Sequence, residues 1–387
     1  MTDAMKVIFV NSHPIQYFAP LYKYLNEHGV TTSCWYCSDE TVKGHYDRQF
    51  GVKVQWDIPL LEGYEYKFFK NRSLRPSLYN GFFGLFNPGM IRALFREPRS
   101  VIVVHGWAYA THILTIIFAK IAGHKVCLRG ESPLNQELMR SKVNKLFKTF
   151  FLRFFLFLFP DNFLFIGTEN KKFYQYFGVD NRRLVFAPYA VDNQRFQKAS
   201  AQYTDKSALR AELGLPVDST IFLYSAKLIS KKRPMDLLKA YAKLQTPGKC
   251  LVMVGDGDLM EEAKTYVQRN DLPSVYLTGF VNQSQIPKYY AAADVFVLCS
   301  GIGETWGLSV NEAMNFGLPV VVTDVPGCAA DLVKPGENGF VAPCGDIAAI
   351  STALNSASGL KNHNTSREII ENYSYRTIME SLKTLAA

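Results

Sequence analysis

Two carboxylates, Glu304 and Glu312, bracket a loop-like stretch at residues 300–312, Ser-Gly-Ile-Gly-Glu-Thr-Trp-Gly-Leu-Ser-Val-Asn-Glu. Glycines at 301, 303 and 307 let backbone approach a ligand closely, and the apolar spacing of 308–316 predicts a helix entered from that loop. The N–H groups near Gly307, Leu308 and Ser309 are then available to a pyrophosphate, with Thr305 and Trp306 beside them. Glu304 would face neutral hydroxyls, and Glu312, one turn into the helix, would accept hydrogen bonds from a ribose diol. Phosphate and hydroxyl recognition side by side suits a sugar nucleotide, and it needs no metal. The plainer reading makes Glu304 a solvated loop carboxylate and Glu312 a helix-face one.

The elements that would position these residues repeat a strand-and-helix rhythm. Short β-branched or aromatic runs at 7–10, 101–104, 125–128 and 163–166 alternate with longer helical segments, which implies a parallel α/β sheet. The pattern restarts at 221–225, 250–254, 274–277, 295–298 and 320–323, giving a second Rossmann-like unit. A Pro-marked boundary at 187–192 separates domains at 1–189 and 190–370, and a helical segment at 366–385 would cross back to the first domain as residues 371–387.

Ligands of such sheets lie beyond the carboxyl ends of strands, and several residues there carry chemistry. The first unit offers His13, Gln16 and Tyr17 after its first strand, then His105, then Arg129 and Glu131. The second offers Lys227 and the run Lys231-Lys232-Arg233, then Gly255-Asp-Gly. Both histidines could equally be core or capping residues, the basic run a solvated helix start, and Gly255-Asp-Gly a plain tight turn.

Composition is that of an ordinary globular chain: 387 residues, 48% hydrophobic and 20% charged. Seven cysteines without a second paired motif support neither a disulfide framework nor a zinc site, and Cys34-Trp-Tyr-Cys37 lies in a strand-like run. The first residues lack the basic start and apolar run of a secretory signal, so a cytoplasmic chain is expected. The net charge of +9 is uneven: residues 1–190 hold 24 Lys+Arg against 14 Asp+Glu, and the remainder 19 against 20. The same first half holds 22 of the 28 phenylalanines, which suits an anionic membrane surface or, more plainly, a Phe-rich core.

The five ordered landmarks Tyr224-Ser-Ala-Lys-Leu-Ile-Ser-Lys-Lys, Val254-Gly-Asp-Gly, Thr278-Gly-Phe-Val, Ala291-Ala-Ala-Asp-Val and Glu304 to Glu312 resemble those of the retaining glycosyltransferases of family 4. The resemblance implies the GT-B fold, two facing Rossmann-like domains with acceptor bound by the first and donor by the second. It also implies that Glu304 holds the donor sugar, Glu312 the ribose, Lys227 and Lys232 the diphosphate, and the backbone near Val281 the base, with Gly255 in the donor region. The family usually has Arg where this chain has Lys227, so charge survives and the bidentate fork is lost. Arg129-Gly-Glu131-Ser stands where many members place a histidine, which gives Glu131 a catalytic or acceptor-orienting position. The first loop, His13-Pro-Ile-Gln16-Tyr17, resembles a subgroup linked to bacterial surface polysaccharides.

These residues imply transfer of a sugar from a UDP- or GDP-linked donor to a saccharide or lipid-linked saccharide, with no cofactor. Leaving-group charge would fall on Lys227, Lys232 and the helix dipole, and a phosphate oxygen would take the acceptor proton. An inverting outcome would instead call on His105, His13 or Glu131 as general base. The basic, Phe-rich segment 139–159 is too short in apolar run to span a bilayer but fits a helix lying on the inner face of the plasma membrane, as well as a packed helix with snorkelling cations. Other classes are a GT-B nucleotide-sugar isomerase or hydrolase and a non-catalytic sugar-binding scaffold. Nucleic-acid binding is not expected, because the phosphate-directed features lie in the neutral half.

Overall fold

The computed structural model describes residues 6–42, 45–47, 52–54, 57–360 and 364–385. By contact density the chain divides into two compact units, the first taking residues up to His45, Pro59–Pro188 and Tyr375 onward, the second Tyr46–Ile58 and Tyr189–Ser374.

The first unit is built on seven parallel strands in the order β5-β2-β1-β6-β7-β8-β9. They are β1 (Lys6–Asn11), β2 (Thr31–Tyr36), β5 (Glu65–Phe68), β6 (Val101–His105), β7 (Lys125–Arg129), β8 (Asn162–Phe165) and β9 (Leu184–Phe186), while β3 (His45–Asp47) and β4 (Val52–Val54) pair with each other. Its helices are α1 (Ala19–Glu27), α2 (Pro88–Leu94), α3 (Ala110–Ile121), α4 (Leu134–Leu138), α5 (Lys142–Phe154) and α6 (Thr168–Tyr176). Val7–Val10 and Val101–Val104 are buried throughout, as expected where helices cover both faces of a parallel sheet.

The second unit has six strands in the order β12-β11-β10-β13-β14-β15. These are β10 (Thr220–Ser225), β11 (Lys249–Val254), β12 (Val275–Gly279), β13 (Val295–Leu298), β14 (Val320–Thr323) and β15 (Gly339–Ala342). Around them lie α7 (Asn193–Gln202), α8 (Lys206–Glu212), α9 (Pro234–Lys243), α10 (Met260–Arg269), α11 (Ile286–Ala292), α12 (Leu308–Met314), α13 (Ala329–Leu332), α14 (Ile347–Ser358) and α15 (Asn364–Glu371).

Two differences from the sequence reading stand out. Strands β5, β9 and β15 were not expected; β5 alternates charged and aromatic residues at a sheet edge, and β9 and β15 are three and four residues long, too short to show a period. The single helix expected at 366–385 is two, α15 and α16 (Tyr375–Thr384), broken around Tyr373, whose hydroxyl donates to Asp331 at 3.2 Å. The second of these packs on α1 in the first unit, where the Tyr375 hydroxyl reaches the Tyr17 carbonyl at 3.4 Å.

In each sheet the chain winds outward on one side of a central strand and then returns to its other side. The return falls between β1 and β6 in the first sheet and between β10 and β13 in the second. At such a point the loops after the two strands part and leave a crevice at their carboxyl ends.

Candidate active site

The crevice of the second unit brings together residues far apart in sequence. The loop after β10 carries Lys227, Lys231 and Lys232, and the loop after β13 carries Ser300 and Glu304. The Lys232 ammonium donates to Glu304 Oε2, and Ser300 Oγ donates to the same oxygen at 3.3 Å. Glu304 is 9% exposed, which sets aside the solvated reading. The cation and the hydroxyl bonded to it offset the cost of burying this carboxylate.

The lysine loop is itself fixed from below. The buried Tyr224 hydroxyl donates to the carbonyls of Lys227 at 3.2 Å and Lys232 at 3.4 Å, and Lys231 accepts from the Gly301 N–H at 2.7 Å. Residues Ser230–Lys232 form a 3₁₀ turn, and Arg233, at φ +52°, ends it against Asp236 before Pro234 opens α9. Partial desolvation lowers the Lys231 ammonium below the ordinary lysine range; Glu304 opposes the shift, and Lys232 and Lys227 add to it. Three lysines therefore gather on one loop, with Lys232 bonded to Glu304 and Lys231 under its influence, a concentration of positive charge that suits a diphosphate.

Gly307 begins α12 with φ +107°, and a Cβ there would lie 2.6 Å from Leu298 Cδ2, so the loop can pass under β13 only with glycine. No side chain caps α12, and Leu308 and Ser309 in its first turn are partly exposed. Glu312 is 2% exposed, and its Oε2 accepts from the Tyr290 hydroxyl at 2.6 Å. Glu304 and Glu312 thus have different partners.

Trp306 is buried: its Nε1 donates to Asn311 at 2.8 Å, and its ring packs on Tyr373 and Tyr189. These contacts make its side chain an anchor of the loop, because an indole of this size finds apolar surface inside the unit. Thr305 beside it is partly exposed. Gly255 stands at φ +138° with its would-be Cβ 2.0 Å from the Ala226 carbonyl oxygen, so the Gly255-Asp-Gly turn lets β11's loop pack directly on the loop after β10. Val281, after β12, is partly exposed on the same carboxyl edge.

The first unit gathers a second cluster at its own switch point. His105 and Arg129 are register partners on β6 and β7. The Arg129 guanidinium lies 5.0 Å from the Phe18 ring centroid and donates to Glu131 Oε1 at 3.3 Å, so Glu131 and Arg129 form one unit. His105 packs 4.5 Å from Phe18 and 5.9 Å from Phe9, and neither ring nitrogen has a hydrogen-bond partner. Burial, then Arg129 and His112, hold its pKa well below the ordinary histidine value, so the ring is neutral. His13 shares a 2.9 Å hydrogen bond with Ser12, and Gln16 and Tyr17 are partly exposed on the same loop.

Sequence reasoning missed Ser300 as a hydrogen-bonding partner of Glu304, Tyr290 as that of Glu312, and Tyr224 as the support of both lysines. Ser300 heads the motif already singled out; the two tyrosines sit in a helix and a strand, with no spacing that separates them from core residues.

Residues 205–376 match the family described as glycosyl transferases group 1. The chain is 29% identical over 261 residues to an Escherichia coli protein described as UDP-Gal:alpha-D-GlcNAc-diphosphoundecaprenol alpha-1,3-galactosyltransferase, covering 65% of each. It is 35% identical over 137 residues to the amylovoran biosynthesis glycosyltransferase AmsK of Erwinia amylovora, about a third of each chain. The chain thus spans less than two thirds of the length of these relatives. Among solved structures, HepE from Anabaena in complex with UDP and glucose superposes with a TM-score of 0.72 at 19% identity over 99% of both chains. WaaG, a glycosyltransferase involved in lipopolysaccharide biosynthesis, gives 0.62 at 14% identity over 97% of this chain and 95% of its own. These likenesses show the GT-B fold.

Proposed function

We propose, from the match of residues 205–376 to the family described as glycosyl transferases group 1, that the chain transfers a sugar from a nucleotide-sugar donor to a saccharide or lipid-linked saccharide in bacterial surface-glycan assembly. The observation that carries this reading is the Lys232–Glu304 pair at the β10/β13 crevice, with Lys227 and Lys231 around it. The donor diphosphate takes up Lys227, Lys232 and the uncapped start of α12, and Glu304 meets the sugar hydroxyls. A ribose at Glu312 shares its carboxylate with Tyr290. As the glycosidic bond to phosphate breaks, negative charge collects on the diphosphate, and the lysines stabilise it where it forms. Lysines in that role make the transfer independent of a metal. A phosphate oxygen takes the acceptor proton in a retaining transfer of the family 4 kind.

The E. coli relative and the UDP-bound fold neighbour support a UDP-sugar donor, and the E. coli relative an acceptor carried on a lipid diphosphate. In the first unit, His105 and the Arg129–Glu131 pair then orient the acceptor hydroxyl, with His13, Gln16 and Tyr17 on the loop beside them. A cytoplasmic protein working at the membrane surface follows from such an acceptor. The helix α5 fits this setting: Val143, Leu146, Phe147, Phe150 and Phe154 stand exposed on it at helical spacing, Leu146 at 74% and Phe147 at 76%. Residues 138–158 hold five cations and no carboxylate. This favours an anionic lipid surface over the packed-helix reading.

The test is thermal stabilisation by a panel of UDP-, GDP-, ADP- and TDP-sugars with chelator present. The cognate donor at 100 times its dissociation constant should add about 2.7 kcal/mol, and Glu312→Ala should abolish the gain. No stabilisation by any of them would favour the scaffold reading.

A further inference from the structure

The first unit holds a cleft of about 780 Å³, within the roughly 300–1,000 Å³ of small-molecule sites. Its walls are mainly apolar, from Phe82, Phe83 and Phe86 on one side and Ile113 and Leu114 of α3 on the other. It opens at the carboxyl edge of the sheet, on the loops that follow β5 and β6. Phe83 stands 73% exposed, yet the segment that carries it is firmly held. Asn71 Nδ2 donates to the Gly84 carbonyl at 2.8 Å, the Phe86 N–H donates to Asn71 Oδ1 at 3.0 Å, and the Tyr109 hydroxyl donates to the Leu78 carbonyl at 2.8 Å. A loop tied down in this way keeps its phenylalanines in water, and an exposed apolar surface of this kind marks a binding site.

Charge and hydrogen bonding decide the occupant. Arg72 and Arg75 line the same cleft, both exposed, with no ion-pair partner among the described residues. From Tyr66 to Arg96 the chain has six cations and no carboxylate. The polar wall groups have little to offer a sugar: Ser73 Oγ donates to the Phe83 carbonyl at 2.5 Å, and Asn80 Nδ2 to the Arg75 carbonyl at 3.0 Å. A second copy of the chain would set like charge against like. What remains is an amphiphile with a hydrocarbon chain and a compact polyanion.

We propose that this cleft binds the first isoprene units of a polyprenyl diphosphate against Phe82, Phe83 and Leu114, with Arg72 and Arg75 on the diphosphate. Two guanidiniums match a diphosphate better than the single phosphate of a glycerophospholipid. The proposal rests on the reading of the acceptor as lipid-linked, and gives that lipid its own site.

The test is equilibrium binding of farnesyl diphosphate to the full chain, with inorganic pyrophosphate, farnesol and phosphatidylglycerol vesicles as separate arms. Farnesyl diphosphate should bind at least tenfold more tightly than pyrophosphate or farnesol, and vesicles should not displace it. Phe83→Asp and the double variant Arg72→Glu/Arg75→Glu should each weaken it at least tenfold while leaving stabilisation by the nucleotide-sugar panel unchanged. Affinity equal to that of pyrophosphate, indifference to both variants, or displacement by phosphatidylglycerol would overturn the proposal. If the wild type binds farnesyl diphosphate with these sensitivities but no nucleotide-sugar, the cleft stands and the transferase reading fails. If it binds nucleotide-sugar and the lipid arms are negative, only the cleft fails.

Discussion

Glu304 has the Lys232 ammonium and the Ser300 hydroxyl among its partners, so its charge and its shape are separable by substitution. Glu304→Gln keeps an acceptor for Ser300 and most of the volume, and stability should change by less than about 1 kcal/mol, whereas transfer should fall roughly 100-fold or more. Initial rates beside urea unfolding check both halves. A loss of stability that matched the loss of rate would make the carboxylate structural. His112 offers a second residue-scale expectation. It is 2% exposed, neither nitrogen has a hydrogen-bond partner among the described residues, and burial lowers its pKa to about 4. The unfolded chain therefore takes up this proton first, and stability falls as pH drops from about 6.5 towards 4, by roughly 3 kcal/mol for this group alone. Urea titrations at pH 7.5 and 4.5 should show His112→Leu losing correspondingly less on acidification than the wild type; equal losses would place the ring in water or in a polar contact.

At the scale of elements, the start of α12 depends on one backbone conformation. Gly307→Ala puts a Cβ into Leu298 at φ +107°, and should cost roughly 2–4 kcal/mol and weaken donor binding together. Gly336→Ala is the control: its φ is +80°, but nothing lies within 4 Å of the new Cβ, so only the backbone term of about 1–2 kcal/mol remains. Comparable losses in the two would mean that the loop relaxes around Leu298. The motif at 300–312 was legible because glycine, carboxylate and helical spacing coincide in a few residues. The supports of that motif were not. Tyr290 and Tyr224 are aromatic residues in an ordinary helix and strand, and only packing turns their hydroxyls toward Glu312 and the lysine loop.

For the molecule as a whole, the uneven charge found in the sequence acquires a location in α5. Leu146→Glu/Phe150→Glu changes side chains that are 74% and 66% exposed, so the fold should persist. Sedimentation with phosphatidylglycerol vesicles should show salt-sensitive binding of the wild type, weakened at least tenfold in the double variant, with nucleotide-sugar stabilisation unchanged. Retained vesicle binding would move the contact elsewhere on the first unit. No helix among the described residues is long and apolar enough to cross a bilayer.

The sequence by itself determined the two α/β units, because buried parallel strands read as short apolar runs between helices, and it picked out the glycine-rich motif at 300–312, because its residue types and helical spacing are local. It also determined where positive charge is concentrated, which is a matter of counting. Tertiary structure alone decided which cation meets Glu304, that Arg129 and Glu131 act as a pair beside a neutral His105, and that Leu146 and Phe147 face outward while Trp306 faces in. The reason is physical: strand order and the β10/β13 switch bring residues 72 positions apart into one ion pair, and the inside or outside of an amphipathic element is fixed by what packs against it.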